Sequence, residues 1–134
     1  MRKYLTISLI IFYLCFCAVL AGQKIPDPIV KAFQSGDIEV LSEYFNPRLQ
    51  INISDQEYMC SRSQGKEIMR EFFDNNKPAS FTIIFEGGKE DSNFSIGNLI
   101  TTGSSYRVNI FFRRLEGEYM IHLLRIEKDD KKSF

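Results

Sequence analysis

The chain has 134 residues, 44% hydrophobic and 25% charged, which suits one globular domain and is too short for two with separate cores. Its 17 basic side chains balance 17 acidic ones, so the charge gives no sign of a nucleic-acid surface or of a funnel for acidic substrates. One histidine and three cysteines leave little material for metal or thiol chemistry.

Arg2 and Lys3 precede an apolar run from Tyr4 to Leu20 that closes on Val19-Leu20-Ala21-Gly22. A charged start, an apolar middle and a small-residue end make the pattern of a secretory signal peptide. The run is short for a membrane span and no stop-transfer charges follow it. Residues 1–21 are therefore expected to be cleaved on export to the periplasm or cell envelope. That leaves a single domain over 22–127, a charged and solvated tail over 128–134, and no membrane attachment. Without Arg2 and Lys3, fifteen basic side chains face seventeen acidic ones, so the mature domain is mildly acidic. Cys15 and Cys17 leave with the signal, and neither follows the small residue that a lipoprotein signal needs. Cys60 then stands alone and cannot form an internal bridge. With no His or second Cys near it in sequence, it reads as a small apolar residue tucked into a strand; the competing reading is a reactive or intermolecular thiol.

Pro26 and Pro28 bracket Asp27, after which Ile29, Val30 and Phe33 recur at helical spacing until Ser35-Gly36, the expected punctuation of a short helix. Asp37 caps a second helix in which Ile38, Leu41 and Phe45 share a face, and Asn46-Pro47 stops it. Leu49, Ile51 and Ile53 alternate with polar residues as in a half-buried strand, Asp55-Gln56 turns, and Glu57 to Cys60 returns. Ser61 and Gln64 have capping-box spacing, and Ile68, Met69, Phe72 and Phe73 give the next helix its apolar face, ended by Asn75-Asn76-Lys77-Pro78. Four strands follow, Phe81–Glu86, Phe94–Thr102, Ser105–Arg114 and Tyr119–Glu127, rich in Phe, Ile, Val, Tyr and Thr and separated by turn residues. Gly87-Gly88 precedes no helix, so it reads as a hairpin turn and not a phosphate cradle. Leu99 and Thr101 fall out of phase with Phe94 and Ile96 unless Gly97-Asn98 forms a bulge that bends the sheet.

Helix, helix, hairpin, helix and a four-strand meander resembles the nuclear transport factor two-like, or cystatin-like cone, superfamily, and more closely a family of small exported Bacteroidetes proteins. Ala32 with Gly36-Asp37, the Tyr58 to Gln64 approach, Phe72-Phe73 through Pro78 to Phe81, Phe94-Ser95-Ile96-Gly97 with Leu99 and Thr101, Tyr106-Arg107-Val108 and Leu124-Arg125-Ile126-Glu127 carry the likeness. The resemblance implies an α+β fold with three helices packed in the concave face of a strongly curved antiparallel sheet. It also implies a cone whose mouth Tyr44, Tyr58, Asn98 and Tyr106 would line, suited to a small hydrophobic ligand, and a homodimer through the sheet face.

If Glu116-Gly117 is the last hairpin's turn, Phe112 pairs with Ile121, and Val108, Ile110, Phe112, Ile121 and Leu123 form the core face. The other face then carries Phe111, Met120, His122, Leu124 and Ile126 beside Arg107, Asn109 and Arg113. Phe111, Met120, His122 and Leu124 are the expected interface. No metal-ligand spacing, cofactor motif or Ser-His-Asp pairing is present, and the acidic pairs Asp55/Glu57 and Glu90/Asp91 fall in turns where water keeps both ionised. Arg107, Arg113, Arg114 and Arg125 are expected to pair across strands with Glu116, Glu118 and Glu127 and not to bind nucleic acid. The expected function is a non-enzymatic, exported binding or interaction module without catalytic residues, metal or cofactor. The alternative is a small isomerase-like enzyme using pocket tyrosines and His122.

Overall fold

The computed structural model describes residues 25–129 together with Tyr4; the rest of the expected signal segment, residues 22–24 and residues 130–134 lie outside the described residues. Helix α1 (Asp27–Ser35) carries Pro in its first turn, and its C-cap Gly36 takes the left-handed φ of 72° that a side chain would resist. Helix α2 (Ile38–Glu43) is capped by the Asp37 carboxylate, which accepts from the Val40 amide at 3.2 Å. It ends two residues earlier than its apolar spacing suggests, because Phe45 opens strand β1 (Phe45–Ile53) instead of extending the helix. A turn at Ser54-Asp55 leads into β2 (Gln56–Ser61). Helix α3 (Arg62–Asn75) starts with the full capping box, Ser61 and Gln64 each bonding the other's backbone. Then come β3 (Pro78–Lys89), β4 (Ser92–Thr101), β5 (Ser105–Leu115) and β6 (Glu118–Lys128).

The strands form one sheet in the order β2-β1-β6-β5-β4-β3. Four of its pairings are antiparallel as expected, but β1 runs parallel to β6, because the hairpin β1–β2 is laid against the far edge of the meander by the chain passing through α3. Three helices on one face of a curved, unclosed sheet make the α+β cone. Strand β6 also takes Lys128, and Asp129 bonds back to the Ser105 carbonyl at 2.8 Å, so the segment read as a tail begins in the sheet.

The space between helices and sheet is packed with rings. Phe33 of α1 stacks on Phe81 of β3 at 4.7 Å and meets Phe73 of α3 edge-on at 5.9 Å, while Phe72 meets Tyr106 at 5.2 Å. With Leu41, Phe45, Leu49, Ile51, Met69, Leu99, Ile110 and Ile121 they form one buried cluster, and each fully buried ring or branched aliphatic is worth about 1.5–3 kcal/mol. Gly65 lets α3 settle onto β1: a Cβ there would stand 3.2 Å from Leu49 and 3.3 Å from Ile51. Cys60 is buried in β2 with its thiol against the Leu49 carbonyl, as its isolation in the sequence suggests.

One turn and one bulge in the C-terminal half differ from the sequence reading. Gly87 and Gly88 are not the turn: β3 continues through them to Lys89, and the hairpin closes over the acidic pair Glu90-Asp91. Strand β4 has no bulge at Gly97 either; Ser95, Gly97, Leu99 and Thr101 alternate without interruption on the covered face, and Phe94, Ile96, Asn98 and Ile100 on the other. The bulge sits on the partner strand, where Ile84 is the extra residue between Ile83 and Phe85. Gly97 serves a packing need, since a Cβ there would lie 2.4 Å from the Phe81 ring. At the other end of the meander Glu116 and Gly117 do form the hairpin turn, both with positive φ, and Phe112 does pair with Ile121.

Candidate functional site

The face of the sheet away from the helices is the surface left open, and its composition is not that of an ordinary solvated face. Phe85, Phe94, Phe111 and His122 stand side by side on β3, β4, β5 and β6, with ring centroids 5.6, 6.0 and 6.5 Å apart. Gly87 makes room for this row: a Cβ there would touch the Phe94 ring at 3.0 Å and Phe85 at 3.2 Å. Ile96 and Leu123 extend the patch, Met120 lies buried on the same side of the sheet, and Phe85 keeps 54% of its surface exposed. Further along the strands the face turns polar, with Asn98, Arg107, Asn109, Arg125 and Glu127 in adjacent register positions.

The register of β6 decides who belongs here. Between the pairs Phe112↔Ile121 and Phe111↔Leu123, β6 holds one extra residue, His122, and this bulge reverses the pleat beyond it. Leu124 and Ile126 are therefore fully buried on the helix side, opposite Ile110 and Val108, and Leu124 is not an interface residue. Leu123, expected in the core, pairs with Phe111 on the open face. Phe111, Met120 and His122 do share that face. Among the described residues, two buried side-chain polar atoms lack a hydrogen-bond partner, Asn98 Oδ1 and His122 Nδ1, and both belong to it. Burial and the nearby Arg113 charge hold the His122 pKa below the usual histidine value, with the Phe111 carbonyl pulling the other way.

The four residues proposed for a cone mouth do not converge. Tyr106 lies on the covered face with its hydroxyl donating to Asn76 Oδ1 at 2.8 Å, and Asn98 points from the opposite side of the sheet. Tyr44 caps α2, and its carbonyl accepts from Ile121. Tyr58 lies on the sheet's edge strand, its hydroxyl held by Gln56, beside a groove of about 760 Å³ between β2 and α3. His122 stands on the open face, whereas Tyr106 and Tyr58, the tyrosines an isomerase-like site would pair with it, are on the helix side, Tyr58 opposite the buried Ile51.

The expected cross-strand ion pairs are also absent among the described residues: the charge pairs join Glu39 to Lys66 and Arg70, and Glu67 to Arg70, on the helices. Arg114 instead stacks over the Tyr119 ring at 5.0 Å. Phe85, Phe94 and Met59 were not singled out by the sequence, although a glycine pair flanked by phenylalanines and the two-phase alternation of β4 were the available signals.

A cleft interrupts the open face beside His122. Strand β1 pairs with β6 at Phe45↔Ile121 and next at Gln50↔Leu123, so four residues of β1 face one of β6 and the ladder opens. Asn46 Nδ2 bonds the Arg48 carbonyl at 2.6 Å and pins this outswung segment. The resulting cleft of about 530 Å³ is walled by β1, β2, β5 and β6.

Residues 26–127 match the model of a family described as a domain of unknown function, DUF4783. A DUF4783 family protein from Bacteroides ovatus is similar to this chain with 32% identity and a TM-score of 0.78, over 82% of this chain and 100% of that one. One from Bacteroides fragilis is 34% identical with a TM-score of 0.75, over 79% of this chain and 100% of that one. A protein of unknown function with a cystatin-like fold from Nostoc punctiforme shares the fold alone, at 14% identity and a TM-score of 0.57, over 78% and 85% of the two chains. No curated protein matches. With its family model spanning the whole cone and relatives aligned over their full length, the chain belongs to the DUF4783 family, whose fold is the nuclear transport factor two-like, or cystatin-like, cone.

Proposed function

We propose that this protein is an exported, non-enzymatic interaction module that works through the open face of its sheet, and that the surface covering that face is a second copy of the chain. The observation that carries this reading is the aromatic row Phe85, Phe94, Phe111 and His122, flanked by Ile96, Leu123 and Met120. A contiguous apolar patch rimmed by charges is costly in water and marks an interaction surface.

Self-association suits the face for two reasons. Six strands spaced ~4.8 Å apart, ten to twelve residues long in β3–β6 and nine and six in β1 and β2, make a face of at most roughly 24 by 33 Å, comparable to one side of a standard interface of about 800 Å² per partner. In addition, the polar end carries both signs, Arg107 and Arg125 beside Glu127, so a two-fold rotation can set arginine against glutamate. The space under the helices is taken by Phe33, Phe73, Phe81 and Tyr106, which favours this use over holding an apolar ligand in the cone. The apolar start of the sequence supports export.

Sedimentation velocity on the exported chain tests the reading. A dimer is expected at about 100 µM, with Phe94→Lys and Phe111→Lys monomeric at the same concentration and unchanged in far-UV circular dichroism. A wild type that stays monomeric there, or a dimer that survives both substitutions, overturns it.

A further inference from the structure

The cleft beside His122 shares His122 and Leu123 with the patch on the open face, but its arginine wall belongs to no part of the aromatic row, and its chemistry is specific. Two irregularities coincide at one residue: β6 bulges at His122 against β5, and β1 swings away from β6 at the same level. Bulges placed together in this way open a sheet and re-aim side chains, and they recur beside functional sites. The cleft they open is about 530 Å³, within the ~300–1,000 Å³ of small-molecule sites.

Its walls divide into two kinds. Arg48, Arg113 and His122 provide the polar side, and Met59, Leu115 and Leu123 the apolar one. Neither Arg48 nor Arg113 forms an ion pair among the described residues, so no carboxylate of the described residues occupies their guanidinium donors. Gln50, also in the wall, gives its amide to Glu57 and Asn52, which ties the carboxylate of Glu57 into the β1–β2 hairpin. Arg113 is close enough to depress the protonation of His122, which places both groups in one electrostatic neighbourhood. Met59 and Leu115 stay largely exposed, at 61% and 43%, although they are large apolar groups.

We infer that this cleft binds a small amphipathic carboxylate: the arginines fork onto the carboxylate, and the aliphatic body lies along Met59, Leu115 and Leu123. Guanidinium groups suit this task because their planar donors match both oxygens of a carboxylate. The apolar wall supplies the remaining affinity through area removed from water. All the walls of the cleft come from one chain, and because His122 and Leu123 also belong to the face proposed for self-association, octanoate binding is expected in the monomeric Phe94→Lys variant as well.

The test uses the exported full chain with octanoate as probe, and 1-octanol and acetate as controls that carry only the apolar body or only the charge. Calorimetric titration and amide chemical-shift mapping are read together. Octanoate is expected to bind about tenfold or more tightly than either control, with the largest shifts at His122, Leu123 and Arg48. Arg113→Gln and Arg48→Gln, both exposed positions whose loss leaves the fold intact, are each expected to weaken octanoate about tenfold while leaving 1-octanol unchanged. Absence of octanoate binding at millimolar concentration, equal binding of octanol, shifts confined to Phe85 and Phe94, or indifference to both arginine substitutions would each overturn the inference.

Discussion

Adding a single methyl group at Gly97 tests how tightly the helices and sheet are fitted. An ideal Cβ there would lie 2.4 Å from Phe81 Cζ and 2.5 Å from Cε1, whereas ordinary contact begins at 3.4 Å. The Phe81 ring would have to retreat by about 1 Å, and it cannot do so freely, because Phe33 is stacked behind it at 4.7 Å and the ring is only 3% exposed. Overpacking of this kind typically costs about 1–3 kcal/mol, and the lost flexibility of the unfolded chain returns only about 0.4–1 kcal/mol. Gly97→Ala is therefore expected to destabilise by about 1–1.5 kcal/mol, a fall in Tm of roughly 5–10 °C for a domain of this size. The assay is urea denaturation at one fixed protein concentration of wild type, Gly97→Ala, Phe81→Leu and the double variant. Shortening the ring should relieve the clash, so the second methyl should cost less than about half as much in the Phe81→Leu background. Wild-type stability in Gly97→Ala, or a penalty indifferent to residue 81, would refute the packing argument.

The other predictions concern single groups. Burial in β2 shields the Cys60 thiol and pushes its pKa up, so labelling by a thiol reagent at neutral pH should be slow and should accelerate with urea; fast labelling of the native protein would place the thiol elsewhere. The His122 pKa lies below its unfolded value of about 6.5, so the unfolded chain takes up the proton first. Stability should be full above that pH, fall as pH drops toward the folded pKa and level off below it, and His122→Gln should flatten this segment in denaturation curves collected between about pH 7.5 and 5. A wild type that gains stability over that range relative to the variant would contradict the burial of the ring.

Much of the fold could be read from the residues. Pro28, Gly36, Asp37 and the Ser61/Gln64 box mark helix ends because each satisfies a backbone need that no longer-range contact overrides. The hairpin at Glu116-Gly117 was equally legible. What was hidden depended on tertiary fit. Gly87 and Gly88 resemble a turn, yet Gly87 is there to admit two aromatic rings, and Gly88, at φ 124°, stands where a Cβ would run into the Ser92 and Asn93 backbone. The His122 bulge has no compositional signature, and one inserted residue was enough to exchange Leu123 with Leu124 between faces. The parallel docking of β1 on β6 could not be seen from local pattern either, and with it went the cleft at Arg48 and Arg113. The surface that now looks functional is thus the part set by register, the weakest element of any reading from sequence.

That surface is also where the account is most exposed to test. An isotope-filtered nuclear Overhauser experiment on a mixture of labelled and unlabelled exported chains asks directly what covers the Phe85, Phe94 and Phe111 rings. Cross-peaks between these rings on one copy and open-face protons on the other are expected. Intermolecular contacts that arise only from other surfaces, or none at a concentration of about 1 mM, would contradict the proposal that the open face is the working surface of this protein.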